Sequence, residues 1–234
     1  MWWDLSIFFV SGRGVAAMTD REWVRAPRQA RSQATLERFV EATRMLLEER
    51  SFEDITVADI VSKAERTVGS FYARFEDKYA VLHVLVDRLD ERIRTLVRSF
   101  CDPARWEDAT VADFVSQSVS LSVLAYRRSN AVYRAALTAA ATDERFRARR
   151  IDTMRYCAEQ HKAFLATRAD DLACLDVGRA SDLMYETVTA VLDHELLFGR
   201  FTATIPSSDV ELVAELTEQC LAVLGARTPE PVEV

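Results

Sequence analysis

The residues best suited to contact another molecule lie in one short stretch, AERTVGSFYARFEDK at residues 64–78. Its hydroxyl, phenol, guanidinium and ammonium groups can hydrogen-bond phosphate oxygens and the edges of nucleic-acid bases. Its glycine lets the backbone come close to a surface that a Cβ would strike. We expect the contacting residues to be Arg66, Thr67, Val68, Gly69, Ser70, Tyr72, Ala73, Arg74 and Lys78, joined by Arg28 from the segment upstream.

Three short helices must position this stretch. Apolar residues at helical spacing predict the first helix over 32–50, and N-cap residues predict the others over 56–64 and 67–75. The third helix is too short to be stable alone, since isolated helices below about 12–15 residues barely form in water. Its neighbours must therefore hold it, and we expect Phe71 and Phe75 to pack onto the first two helices.

The rest of the chain also predicts helices. Thr56 with Asp59 is a capping-box pattern, and the same tetrapeptide TVAD recurs at Thr110–Asp113, where we expect the same cap. Six Gly and five Pro in 234 residues are too few for a turn-rich β fold. The sequence therefore predicts an all-α fold. Further helices are expected at about 78–102, 110–128, 130–141, 143–168, 176–198 and 208–224.

Residues 32–82 resemble the DNA-binding domain of the TetR family of bacterial transcription regulators. The ungapped matches to that family's helix-turn-helix pattern are Phe52, Thr56, Val57, Ile60, Ala64, Thr67, Gly69, Ser70, Phe71, Tyr72, Phe75, Lys78 and Leu82. Ser51 and Glu65 stand where the family usually has glycine, and Arg66 replaces an apolar residue. If either glycine position has a positive φ, the side chain there costs about 1 kcal/mol.

The resemblance implies a ligand-responsive regulator, here interpreted as a repressor, that binds a palindromic DNA operator as a homodimer through its last two helices. It implies a helix-turn-helix domain at 28–77, followed by an effector-binding and dimerisation domain at 78–226. The effector, the operator sequence and the choice between repressor and activator stay open. The candidate effector contacts are polar-tipped residues within apolar helices, namely Tyr126, Tyr133, Tyr156, His161 and Tyr185.

Composition limits the alternatives. The net charge of −7 requires any nucleic-acid contact to be local, and no acidic residue lies between Arg66 and Phe75. No phosphate-binding glycine loop, nucleophile motif or metal-ligand spacing is present, so we expect no enzyme activity, cofactor or metal. We also expect a cytoplasmic protein without a membrane span and with reduced, buried cysteines. An all-α adaptor that has lost DNA binding stays open as the alternative because of Glu65 and Arg66.

Both ends of the sequence differ from the helical part. Residues 1–27 are predicted to form a disordered extension and arm, and residues 227–234 a disordered tail. The apolar start, MWWDLSIFFV, is too short for a bilayer span. A break in composition before Met18 suggests that Met18 is the true initiator.

Overall fold

The computed structural model describes residues 30–199 and 208–226, and every regular element in them is helical. The predicted disordered ends, Arg28 and the Met18 initiator all lie outside the described residues. The all-α fold class is confirmed for the described part of the chain. Its α-helices are α1 (Ala30–Glu49), α2 (Val57–Lys63), α3 (Val68–Tyr72), α4 (Lys78–Phe100), α5 (Val111–Arg128), α6 (Asn130–Ala140), α7 (Glu144–Ala166), α8 (Val177–Phe198) and α9 (Asp209–Leu224).

Capping residues set most of the helix starts. Thr56 accepts a hydrogen bond from the amide of Asp59, whose carboxylate accepts one in return from the amide of Thr56. The same reciprocal pair forms between Thr110 and Asp113, so both capping boxes predicted from TVAD are present. Two short 3₁₀ helices, Pro103–Trp106 and Ala169–Asp171, were not predicted.

The chain divides into two compact units between Leu96 and Val97, inside α4. The N-terminal unit has a core of phenylalanines. Phe39 of α1 packs edge-on against Phe71 and Phe75, with ring centroids 5.4 and 6.1 Å apart. These contacts confirm the predicted packing of both rings onto α1 and explain how a five-residue α3 is held in place. The predicted domain boundary at 77/78 remains a prediction.

The C-terminal unit contains the end of α4 and the helices α5 to α9. α5 packs against α9, and α7 packs against α6 and α8. Aromatic rings fill one part of the core: Phe114 stacks on Phe164 with centroids 4.0 Å apart, and Trp106 packs edge-on against Phe114 at 5.1 Å. The indole Nε1 of Trp106 donates to the carbonyl of Phe100 at 2.6 Å, so the buried N–H has an acceptor.

Candidate nucleic-acid interface

The turn between α2 and α3 contains Glu65, which has a left-handed backbone with φ of +53°. The amide of Glu65 donates to the carbonyl of Ser62 at 3.1 Å, and the amide of Arg66 donates to that of Val61 at 2.9 Å. These two bonds form a Schellman motif, which usually has glycine at the left-handed residue. The glycine position at Glu65 therefore does require positive φ, at a cost of about 1 kcal/mol. Ser51 does not share this strain.

The first turn of α3 is stabilised by two of the residues predicted to contact nucleic acid. The side-chain oxygen of Thr67 accepts a hydrogen bond from the amide of Ser70 at 3.2 Å. The hydroxyl of Ser70 donates to the carbonyl of Thr67 at 2.7 Å. Thr67 is therefore the N-cap of α3, and the hydroxyl of Ser70 bonds back to the carbonyl of that cap.

α3 directs one face to the core and the other to solvent. Phe71 is fully buried, whereas Val68 is 48% exposed and Tyr72 is 49% exposed. Gly69 and Ala73 are exposed as well. A Cβ built on Gly69 would meet no heavy atom within 4 Å. Packing within the unit therefore gives no reason for the glycine. Tyr72 does have a contact there, since its ring lies edge-on against that of Phe71 with centroids 5.4 Å apart, and about half of the residue remains exposed.

Two of the predicted cationic contacts lie beside this exposed face. The guanidinium of Arg74 donates to the carbonyl of Ser70 at 2.8 Å, and that of Arg66 donates to the carbonyl of Glu65 at 2.7 Å. Each arginine therefore has part of its guanidinium engaged with the backbone of the protein. Arg28, the third predicted arginine, lies outside the described residues.

Lys78 has a different environment from the two arginines. Its ammonium donates to the carbonyls of Phe52, Glu53 and Ile55 at 2.9, 2.9 and 2.8 Å. It also lies 4.8 Å from the centroid of the Phe52 ring. Because an ammonium has three protons, all of them are used in these bonds. Lys78 therefore joins the start of α4 to the turn before α2, and its contact with a phosphate stays a prediction.

The start of α2 is also stabilised electrostatically. Hydrogen bonds from the side chain and the amide of Thr56 lower the pKa of Asp59 to about 2, and the guanidinium of Arg50 lies 3.1 Å from the same carboxylate. An open groove of about 340 Å³ lies nearby, with Arg38, Met45 and Glu65 among its lining residues. The candidate effector contacts belong to the other unit, so this groove is not the predicted effector site.

In the C-terminal unit, the structure brings together two candidate effector contacts. Tyr126 and Tyr133 stack with ring centroids 4.5 Å apart, and Arg150 lies within 6 Å of both centroids. Arg150 donates to Asp193 at 2.8 and 2.9 Å, and Tyr126 donates to the same carboxylate at 2.7 Å. Burial raises the pKa of Tyr126. The arginine-rich run at 145–150 predicts a helix face exposed to solvent. That prediction is wrong for Arg150, because its side chain is only 18% exposed.

A second pair of candidates is formed by His161 and Tyr185, with ring centroids 5.2 Å apart. The Nδ1 of His161 lies 2.8 Å from the carbonyl of Cys157, and its Nε2 lies 2.8 Å from the hydroxyl of Ser118. Since a carbonyl only accepts, Nδ1 carries the proton and Nε2 accepts from Ser118. Burial lowers the pKa of His161 and raises that of Tyr185. Tyr156 has a different partner, an arginine near the end of α4.

Nowhere in 30–199 and 208–226 do three His, Cys, Asp or Glu side chains cluster so that they could hold a metal ion. The four cysteines are free, and burial raises the pKa of Cys101 and Cys220 to about 12, which keeps both thiols protonated and unreactive. None of the helices described is both long enough and apolar enough to cross a bilayer.

The helix-turn-helix segment matches a known family. Residues 39–85 match the family model described as bacterial regulatory proteins of the tetR family. The N-terminal domain is that of the TetR family. The match covers α2, α3 and the turn between them, so the exposed face of α3 lies in the helix-turn-helix of this domain. No curated protein matches the sequence.

Solved structures extend the likeness from the TetR domain to the whole fold. A protein from Mesorhizobium loti assigned to the TetR family of transcriptional regulators aligns over 85% of this chain and 100% of its own, with a TM-score of 0.66 and 14% identity. A tetR-family regulatory protein from Rhodococcus RHA1 aligns over 83% and 98%, with a TM-score of 0.60 and 16% identity. A TetR-family regulator from Pectobacterium atrosepticum aligns over 87% of this chain and 100% of its own, with a TM-score of 0.59 and 16% identity. At this identity the likeness establishes the fold, and the domain and fold are those of DNA-binding transcriptional regulators.

Proposed function

We propose that this protein is a ligand-responsive transcriptional repressor that binds a palindromic operator as a homodimer. The observation that carries the proposal is the solvent face of α3, where Val68, Gly69 and Tyr72 are exposed and no packing contact requires position 69 to be glycine. A second, or recognition, helix of a helix-turn-helix lies in the major groove, and its N-terminal residues contact base edges. Such a regulator acts in the cytoplasm, with the chromosome.

DNA binding is tested first by selection from a random duplex library, followed by titration of the selected duplex. Tyr72→Phe removes one exposed hydroxyl and should weaken binding about tenfold if that hydroxyl bonds a phosphate. Tyr156→Phe, the same change in the C-terminal unit, is the matched control, and it should leave affinity unchanged when no effector is present. Failure of the wild-type protein to enrich any duplex would favour the adaptor alternative.

The homodimer is proposed to form through α8 and α9. α8 buries a stripe that includes Met184, Val188 and Leu192, while Leu183 on another side is 50% exposed. Phe198 on α8 and Val210 on α9 are also exposed, at 76% and 80%, and interfaces form where several exposed apolar side chains gather in one patch. The two recognition helices of such a dimer would reach half-sites about 34–36 Å apart on one face of the duplex.

Light scattering after size exclusion tests the interface. Leu183→Asp should shift the mass from dimer to monomer because a carboxylate is costly to bury at an apolar interface. Ile151→Asp is the matched control, since Ile151 on α7 is equally exposed, at 49%, but belongs to neither of the last two helices. A wild-type monomer at micromolar concentration, or equal behaviour of both variants, would contradict this interface.

The effector site is proposed to include Tyr126, Tyr133, His161 and Tyr185, with Tyr156 further from them. The stacking of Tyr126 on Tyr133 supports the first two, because aromatic rings are common in the lining of sites that bind flat molecules, whereas the charge of Arg150 beside them is offset by Asp193. A thermal-shift screen would identify ligands, and each hit would be added to the protein–operator complex. A ligand of this site should release the DNA, and Tyr133→Phe should change the ligand concentration required for release.

A further inference from the structure

Val68 is a large apolar side chain that the fold leaves in solvent. It is the first residue of α3 and 48% exposed, whereas Phe39, Phe71 and Phe75 in the same unit are at most 1% exposed. Valine is also a weaker helix former than alanine. Packing and helix propensity therefore do not require valine at this position, and its exposed side chain is available to contact a partner.

The polar groups around Val68 are engaged with the backbone of the protein. Thr67 caps the amide of Ser70, the hydroxyl of Ser70 donates to the carbonyl of Thr67, and Arg74 donates to the carbonyl of Ser70. Gly69, next to Val68, has no side chain. The start of α3 therefore presents an apolar side chain beside exposed backbone, with the hydroxyls of Thr67 and Ser70 engaged in bonds to the protein backbone.

We propose that Val68 recognises the C5-methyl group of a thymine in the major groove of the operator. This inference rests on the proposed function and specifies what α3 reads. The thymine methyl is the apolar group among the base edges of the major groove, where the other readable groups are hydrogen-bond donors and acceptors. An exposed valine can contact that methyl, and it has no hydrogen-bond donor or acceptor for the edge of a guanine or cytosine.

The size of the effect follows from the burial of one methyl group, which contributes about 0.8 kcal/mol. That value corresponds to about a fourfold preference for thymine over uracil at one position in each half-site. Uracil differs from thymine only in lacking this methyl, so the substitution tests the contact without changing base pairing.

The experiment uses the full chain and the duplex selected by the wild-type protein. Each thymine is replaced singly by deoxyuridine, and affinity is measured by fluorescence anisotropy. The affinity of the wild type should fall about fourfold when uracil replaces one particular thymine of a half-site. Val68→Ala, which changes both protomers of the proposed homodimer, should lose up to about sixteenfold in affinity on the unmodified duplex, or fourfold for each half-site, and become less sensitive to uracil at that thymine only. Val68→Ile, which keeps an apolar branched side chain, should retain the uracil effect.

The outcomes separate this inference from the proposed function. If the wild type enriches a defined duplex but no thymine is sensitive to uracil, or if Val68→Ala keeps the wild-type sensitivity, the Val68 contact is refuted while sequence-specific binding stands. Loss of the uracil effect in Val68→Ile would also refute it. If the wild type enriches no duplex, the proposed function fails and the inference fails with it.

Discussion

Replacing Gly69 by alanine adds one methyl group to α3 at a point where the protein has room for it. A Cβ there would meet no heavy atom within 4 Å, and the backbone does not have a positive φ. Alanine is the better helix former, by about 0.5–1 kcal/mol. We therefore expect Gly69→Ala to raise the free energy of unfolding by about that amount.

DNA affinity should change in the opposite direction. If the backbone of α3 approaches the duplex at Gly69, the added methyl occupies the space between the two surfaces. We expect at least a tenfold loss of affinity, which corresponds to about 1.4 kcal/mol. A gain in stability with a loss in binding would show that glycine at position 69 is needed for DNA binding and not for folding.

Gly178 provides the matched control. Like Gly69, it is the second residue of its helix, α8, and a Cβ there would meet only ordinary contacts at 3.4 and 3.8 Å. Gly178→Ala should raise stability similarly and leave DNA affinity unchanged. Stability would be measured by urea unfolding followed by far-ultraviolet circular dichroism, and affinity by anisotropy on the selected duplex. Wild-type affinity in Gly69→Ala, or a loss of stability in it, would refute the reasoning.

Three further predictions concern stability. Glu65→Gly should raise the free energy of unfolding by about 1 kcal/mol because it relieves a positive φ, whereas Glu65→Ala should give no gain; urea unfolding measures both. Lys78→Met should lower the free energy of unfolding by about 2 kcal/mol, since three carbonyls lose a charged donor that solvent only partly replaces. Thermal unfolding measures this loss, and comparison with Lys78→Arg tests whether a compact ammonium is needed. His161 has a folded-state pKa lowered by burial, so the unfolded state binds more protons below pH 6.5 and stability should fall as the pH drops. Between pH 7.5 and 5.5 the wild type should lose about 1 kcal/mol more than His161→Gln in urea unfolding, and equal losses would contradict a buried neutral histidine.

Local signals in the sequence predicted the elements well. The capping boxes at Thr56 and Thr110 follow from interactions over three residues, and the structure has both. The possible strain at Glu65 could also be predicted, because a Schellman turn depends on a few adjacent residues. The exposed face of α3 followed from the spacing of Phe71 and Phe75, which fixes the side of the helix that faces the core.

Long-range pairings could not be predicted in this way. Arg150 and Asp193 are 43 residues apart, and nothing near Arg150 distinguishes it from the solvated arginines of the same helix. Lys78 likewise finds its acceptors 23 to 26 residues earlier, in backbone carbonyls that carry no sequence signal. The 3₁₀ helix at Pro103–Trp106 was missed because a proline after a long helix indicates a stop and not a new turn.

The burial of Trp106 gives the protein a built-in optical probe. The chain has four tryptophans, and the other three, Trp2, Trp3 and Trp23, lie upstream of the described helices. The indole of Trp106 is enclosed by Phe100, Phe114 and Phe164 in the C-terminal unit, so its emission should shift to the red when that unit melts. Ellipticity reports both units, so a mismatch between the two signals would show that the halves of the molecule unfold separately.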